Sequence, residues 1–150
     1  MILAVPGVKP KTSPSPSLVL HVLLLRAFSP NTLIDSLQYS PKEQRESKEV
    51  KLTMDDSLVT LKFSARYLYG SSLFSRTALS NAKVVQDPTL ILQGDSDKSA
   101  NPEGTQMLMD ALAAKDKTLT IIPGAGHVFM SDPSKREQVI SAVKDWLEAH

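Results

Sequence analysis

The stretch Pro88-Thr89-Leu90-Ile91-Leu92-Gln93-Gly94-Asp95-Ser96-Asp97 decides the architecture of this 150-residue chain. A continuous apolar run follows a proline and stops at a Gly-Asp-Ser-Asp turn. That is the pattern of a short strand buried on both faces, as in a parallel sheet. A second passage has the same rhythm: Thr118 to Ile122 is an apolar run, and Pro123-Gly124-Ala125-Gly126-His127 is the turn that follows it. Between the two, Asn101 is a good N-cap, Pro102 fits a first turn, and Leu108, Ala111 and Leu112 make one face of a helix over 102–114. After the second run, Asp132-Pro133 starts a helix over 133–148. Ser134-x-x-Glu137 has the form of a capping box, and Val139, Ile140, Val143 and Leu147 form the expected buried stripe. Strand, helix, strand, helix is a βαβα unit, so the fold class is α/β with a short parallel sheet and a right-handed crossover.

The first half of the chain is organised differently. Met1-Ile2-Leu3-Ala4-Val5 reads as a buried strand. Residues 9–17, rich in proline and serine, read as an extended linker, because each proline disfavours helix at the residue before it. Leu18 to Phe28 reads as a buried or amphipathic helix with His21 packed in it. Ser-Pro pairs at 29–30 and 40–41 break the chain, and the charged run from Lys42 to Lys51 reads as a solvated helix or loop. A further helix is expected over 55–69, capped by Asp55 or Asp56 and ended by Gly70. These readings divide the chain into a core strand (1–8), a helical region (9–82) and a C-terminal α/β segment (83–150).

Charge and composition exclude several functions. The chain carries 17 Lys and Arg against 16 Asp and Glu, a net charge of +1, so no bulk electrostatic attraction to nucleic acid or anionic membrane is expected. The balance is +4 over residues 1–82 and −3 over 83–150, in keeping with two parts of different character. Without cysteine there is no disulfide, thiol catalysis or thiolate metal site. No phosphate loop or dinucleotide fingerprint occurs, and histidines at 21, 127 and 150 lack metal-ligand spacing, so no cofactor and no metal is expected. The run Leu18 to Leu25 is too short to span a bilayer, and its flanks do not suit a signal peptide, so a cytoplasmic location is expected.

The chemistry lies at the strand ends. In a parallel α/β sheet, functional groups gather beyond the carboxyl ends of the strands. Asp97 and His127 both fall there. A carboxylate beside an imidazole fixes its tautomer and stabilises imidazolium, and the other ring nitrogen can then take a proton from a hydroxyl. Asp97 is preferred to Asp95 as the acid because it lies deeper in its loop. Asp95 suits a turn or cap, with a swap of the two left open. Ser80-x-x-Lys83 matches a Ser-Lys nucleophile spacing, but none of the companion motifs accompanies it.

From Pro88 to Asp97, then Asn101-Pro102-Glu103, then Leu119 to His127 and finally Trp146-Leu147, the chain resembles the C-terminal part of the α/β-hydrolase family. The nearest likeness is to the serine-hydrolase branch that includes monoacylglycerol lipases, lysophospholipases and serine aminopeptidases. The resemblance is specific over about residues 84–150, where the last Asp of Gly-x-x-Asp maps to Asp97 as triad acid and the closing His of Pro-Gly-Ala-Gly-His to His127 as base. Gln93 departs from the pattern, since many relatives have His before that Gly. Residues 1–82 are similar to a core strand followed by a lid, which makes this a partial α/β-hydrolase fold with an N-terminal helical lid region. The resemblance implies hydrolysis of an acyl ester or lipid-like substrate, no cofactor, and peripheral membrane contact through the lid. In that lid, Leu18 to Phe28 and Phe63 to Phe74 are candidates for pocket or surface contacts.

One element of the family pattern is absent. No Gly-x-Ser-x-Gly occurs in the 150 residues, and Gly70-Ser71-Ser72-Leu73-Phe74 lacks the second glycine. The chain alone is therefore expected to be inactive, its nucleophile lying upstream of Met1. Three readings stay open: a portion of a full-length serine hydrolase, a noncatalytic binding or regulatory module, and one half of an enzyme completed by a separate N-terminal half. Half a parallel sheet also exposes an edge, which favours homo-oligomers.

Overall fold

The computed structural model describes residues 1–11, 13–35, 55, 57–58, 60 and 62–150. In chain order its elements are β1 (Ile2–Ala4), α1 (Pro16–Phe28), β2 (Leu33–Asp35), β3 (Lys62–Ser64), α2 (Ala65–Ala82), β4 (Thr89–Gly94), α3 (Pro102–Ala111), β5 (Lys117–Ile122) and α4 (Arg136–Ala149), with a 3₁₀ turn at Phe129–Ser131. They fall into two compact units. Met1–Ser13 and Phe74–His150 form one, Pro14–Leu73 the other, and the boundary lies inside α2.

The first unit is built on a parallel sheet in the order β1-β4-β5. All six residues of β4 are buried, as an apolar run in the centre of a parallel sheet should be. Alternation along the strand divides them between two faces. Leu90 and Leu92 join Ile122, Ala125, Phe129 and Val139 on one side, while Ile91 packs with Ala82, Leu108 and Leu112 on the other. β1 corrects its expectation. Among the described residues it is an edge strand, paired with β4 alone, and Met1 and Ile2 are exposed.

The two helices of this unit differ in how far they follow their expected caps. α3 starts as expected, with Asn101 Oδ1 accepting from the Glu103 N–H at 3.0 Å. It stops at Ala111 rather than 114, and Lys117 Nζ donates to the Met109 and Leu112 carbonyls at 2.6 and 2.8 Å. A cation on the last carbonyls is the favourable complement of a helix C-terminus. α4 begins at Arg136, three residues later than expected, and the capping box is not made. Instead the Asp132 carboxylate accepts from the Ser134 N–H and hydroxyl at 2.9 and 2.8 Å, which holds Ser134 in a turn. The buried side of α4 is Val139, Ala142, Val143 and Trp146; Ile140 and Leu147 are exposed. His150 is tied down at the end of α4: its Nδ1 bonds the Trp146 carbonyl and its Nε2 the Asp116 carboxylate, both at 2.7 Å, and its ring stacks on Trp146. The carbonyl bond first, then the carboxylate, raises its pKa above the ordinary imidazole value.

In the second unit, Ser15 accepts from the Leu18 N–H and Pro16 occupies the first turn of α1. None of the thirteen residues of α1 is buried, which corrects both the buried helix and the packed His21. β2 and β3 pair antiparallel, with Ile34 opposite Phe63. The expected 55–69 helix is displaced: Lys62–Ser64 is strand, and α2 starts only at Ala65. Ser64 is its cap, its Oγ accepting from the Tyr67 N–H at 3.2 Å. Gly70 does not end the helix but lies within it, a position that costs about 1 kcal/mol relative to alanine without breaking it. The other proposed caps, Asp55 and Asp56, precede β3; Asp56 lies outside the described residues, as does the charged run Lys42 to Lys51.

Candidate functional site

β4 and β5 are neighbours in register, Gly94 opposite Ile122, so the turns that follow them leave the sheet at the same edge. The two turns are in backbone contact. The Ser96 N–H donates to the Ala125 carbonyl at 3.0 Å. The Asp95 carboxylate accepts from the Gly124 N–H at 2.8 Å, and Gly124 takes the positive φ (64°) that a non-glycine residue avoids. Lys135 Nζ donates to the Pro123 carbonyl at 2.6 Å. Ala125 and Phe129 anchor the second turn in the core. Asp95 is therefore a brace between the turns, its Oδ1 accepting from the Gly124 N–H and from the Ser96 hydroxyl.

Asp97 and His127 are brought together. His127 Nδ1 lies 3.0 Å from Asp97 Oδ2. The carboxylate is 0% exposed and the imidazole 39%, so the pair is closed on the acid side and open on the base side. His127 Nε2 has no hydrogen-bond partner among the described residues. A base whose free nitrogen faces outward from a fixed carboxylate is what proton abstraction requires.

Asp97 is held by more than the imidazole. Its Oδ1 accepts from the Ser99 and Ala100 N–H groups at 2.8 and 2.9 Å, and Oδ2 also accepts from Gln93 Nε2 at 3.1 Å. Lys11 Nζ donates to its backbone carbonyl at 2.9 Å. Residues 9–11 are extended, as expected, but they are a strap rather than a free linker. Lys11 N–H bonds the Ser99 carbonyl and Asn101 N–H the Lys9 carbonyl. Sequence reasoning missed Gln93, Thr105 and this strap. A signal existed for the loop, because Asp97 followed by Ser99 and Ala100 has the spacing of a side chain accepting from N–H groups two and three residues on.

Burial alone would push the Asp97 carboxyl up, but the bonds from His127, Ala100, Ser99 and Gln93 outweigh it and hold the pKa below the ordinary carboxyl value. A lowered folded-state pKa contributes stability that is present above the unfolded value, about 4, and is lost as pH falls through the lower folded value. Unfolding by urea between pH 2 and 6 should show this loss, and Asp97→Asn should flatten it. An equal slope in both chains would assign the acid sensitivity elsewhere.

The other serine candidates are differently placed. Ser71, Ser72 and Ser80 are helical, each hydroxyl donating to a carbonyl three residues back. No group of three or more His, Cys, Asp or Glu suited to a metal occurs among the described residues. No helix of those residues is long and apolar enough to cross a membrane.

Comparison with known proteins gives one consistent result. The family model described as serine aminopeptidase, S33, matches residues 1–134. A monoglyceride lipase of Mus musculus is 29% identical over 86% of this chain and 43% of its own length. A monoacylglycerol lipase of Mycolicibacterium smegmatis is 25% identical over the whole chain and 53% of its own. The crystal structure of Paleococcus ferrophilus monoacylglycerol lipase superposes with a TM-score of 0.77 at 25% identity, covering 99% of this chain and 58% of that one. The chain thus spans about half the length of the curated relatives it matches.

Proposed function

The chain belongs to the serine aminopeptidase S33 family of α/β-hydrolases, and on that footing we propose that it carries the acid and base of an acyl-ester hydrolase acting on lipid-like esters such as monoacylglycerols. The observation that carries this reading is the Asp97–His127 pair: a buried carboxylate 3.0 Å from an imidazole whose other nitrogen is open. In the proposed reaction, His127 Nε2 takes the proton of a serine hydroxyl as the oxygen attacks the ester carbonyl. It returns that proton to the departing alcohol. Asp97 stays ionised throughout, stabilising the imidazolium.

The serine and the oxyanion donors come from outside these 150 residues, which contain no Gly-x-Ser-x-Gly. We propose that they reside on strands added at the open edge of β1, the side of the sheet where Met1 and Ile2 are exposed. Residues 9–82 are assigned to the lid region of the family. The apolar surface of α1, with Leu20 and Phe28 exposed, supports a lipid-facing role for it.

Complementation tests the reading. The polypeptide alone is expected to show no turnover of a p-nitrophenyl ester. Co-expression with the N-terminal portion of the mouse monoglyceride lipase, the part preceding the matched region, is expected to yield a complex that hydrolyses monoacylglycerol. Turnover by the isolated chain would overturn the placement of the nucleophile. A complex whose serine labels with a fluorophosphonate equally well when His127→Ala is introduced would overturn the assignment of acid and base.

A further inference from the structure

Gln93 is a polar residue in a strand whose neighbours are apolar. It is 0% exposed, and so nearly is Thr105, at 1%, on the facing helix α3. A primary amide in such a place costs free energy that an aliphatic side chain of the same size would not. Its bonds show what it is for. Nε2 donates to Asp97 Oδ2 at 3.1 Å and to the Gly94 carbonyl at 3.0 Å, while Oε1 accepts from Thr105 Oγ1 at 2.8 Å. Only one orientation of the amide satisfies all three. Turned over, it would set Oε1 against two acceptors, the Asp97 carboxylate and the Gly94 carbonyl.

The consequence reaches His127. A carboxylate offers about four lone-pair sites. On Asp97, two are filled by the Ser99 and Ala100 N–H groups, one by Gln93 and one by the imidazole. Three places taken by donors favour the ionised carboxylate, and an ionised carboxylate only accepts, so the bond to His127 is donated by Nδ1–H, which leaves Nε2 with its lone pair.

We propose that Gln93 and Thr105 are positioning residues for the acid–base pair. Thr105 locks the amide, the amide occupies and orients Asp97 Oδ2, and Oδ2 holds His127 as the Nδ1–H tautomer. This rests on the acid–base reading given above. The imidazole is thereby referred through β4 to helix α3, a rigid element, and not only to the two turns.

Long-range ¹H–¹⁵N correlation spectra of the 150-residue chain report which ring nitrogen of His127 is protonated, with no need of turnover. At a pH where the ring is neutral, the unaltered chain should show the Nδ1–H form, and Asp97→Asn should abolish its dominance. Thr105→Val, close to isosteric, should shift the tautomer ratio towards Nε2–H by roughly three- to tenfold, the equilibrium factor of one ordinary hydrogen bond. Gln93→Met should do the same, and Thr105→Ser should restore the original ratio. Far-UV circular dichroism identifies a variant that has unfolded. If Thr105→Val unfolds the chain, the Gln93→Met comparison decides. A ratio unmoved by Asp97→Asn would remove the acid–base reading itself. A ratio moved by Asp97→Asn but not by Gln93→Met or Thr105→Val would overturn the relay alone.

Discussion

His127→Ala in the complemented enzyme should lower monoacylglycerol hydrolysis by about a thousandfold or more, with little change in KM. The reason is the division of labour at the site. Of the two ring nitrogens, one is committed to Asp97 at 3.0 Å and the other is open, so the imidazole can accept the proton that serine must lose. Alanine leaves the serine as an unassisted alcohol. What survives is the contribution of the oxyanion donors and of substrate binding, which in serine hydrolases still exceeds the reaction in water by about 10³ to 10⁴. Asp97→Asn should fall in the same range, because an amide cannot hold the Nδ1–H tautomer in the way a carboxylate does. Both are measured as kcat and KM on one complex, with the amount of assembled complex measured by size-exclusion chromatography. Activity retained in either variant would require a different base.

The second large effect concerns a residue with no functional group. A methyl group on Gly94 would stand 2.2 Å from the Ala125 carbonyl oxygen, 2.8 Å from its carbon and 2.9 Å from the Gly126 oxygen. All three are backbone atoms, so no side chain can swing aside. The two turns would have to separate, breaking the Ser96–Ala125 bond and drawing Asp97 from His127. Overpacking in a closed region costs about 1–3 kcal/mol and on occasion more, and the lost hydrogen bond adds about 1. Gly94→Ala should therefore destabilise the chain by about 3 kcal/mol or more and lower Tm by roughly 6–12 °C. Gly70→Ala is the matched control. Nothing lies within 4 Å of its added carbon, and Gly70 sits inside a helix, so that substitution should be neutral or stabilising. A melting temperature for Gly94→Ala within two degrees of the parent would show that the turns can part cheaply.

What could be read from the chain follows from how local each determinant is. β4 is a continuous apolar run closed by a glycine-containing turn, and burial on both faces is the simplest outcome for such a run. β5 has the same rhythm but lies at the edge of the sheet among the described residues, with Ile122 buried and Ile121 exposed. The pair Asp97 and His127 was legible for the same reason, since each closes one of those turns. Gln93 and Thr105 were not, because their meaning depends on a contact between a strand and a helix twelve residues later. β2 and β3 escaped notice because three-residue strands carry too little alternation to stand out. The start of α2 differs from the expected 55–69 helix because Leu58, Leu61, Ala65 and Leu68 recur at helical spacing in the sequence, while pairing with β2 makes Lys62–Ser64 a strand and leaves Ser64 to cap the helix. Exposure of α1 was equally hidden, since an apolar helix looks the same in sequence whether or not anything covers it.

The order of strands in the sheet has a kinetic consequence. β4 and β5 are joined through α3, a closure of roughly 30 residues, whereas β1 meets β4 only across roughly 90, and the entropy of the longer closure is greater by about 1 kcal/mol. The local β4-α3-β5 unit, which holds Asp97 and ends five residues before His127, should form early in folding. β1 and the strap of Lys9 to Lys11 should dock late. Mutations in β1 should then speed unfolding while leaving the refolding rate nearly unchanged, and those in β4 should slow refolding itself.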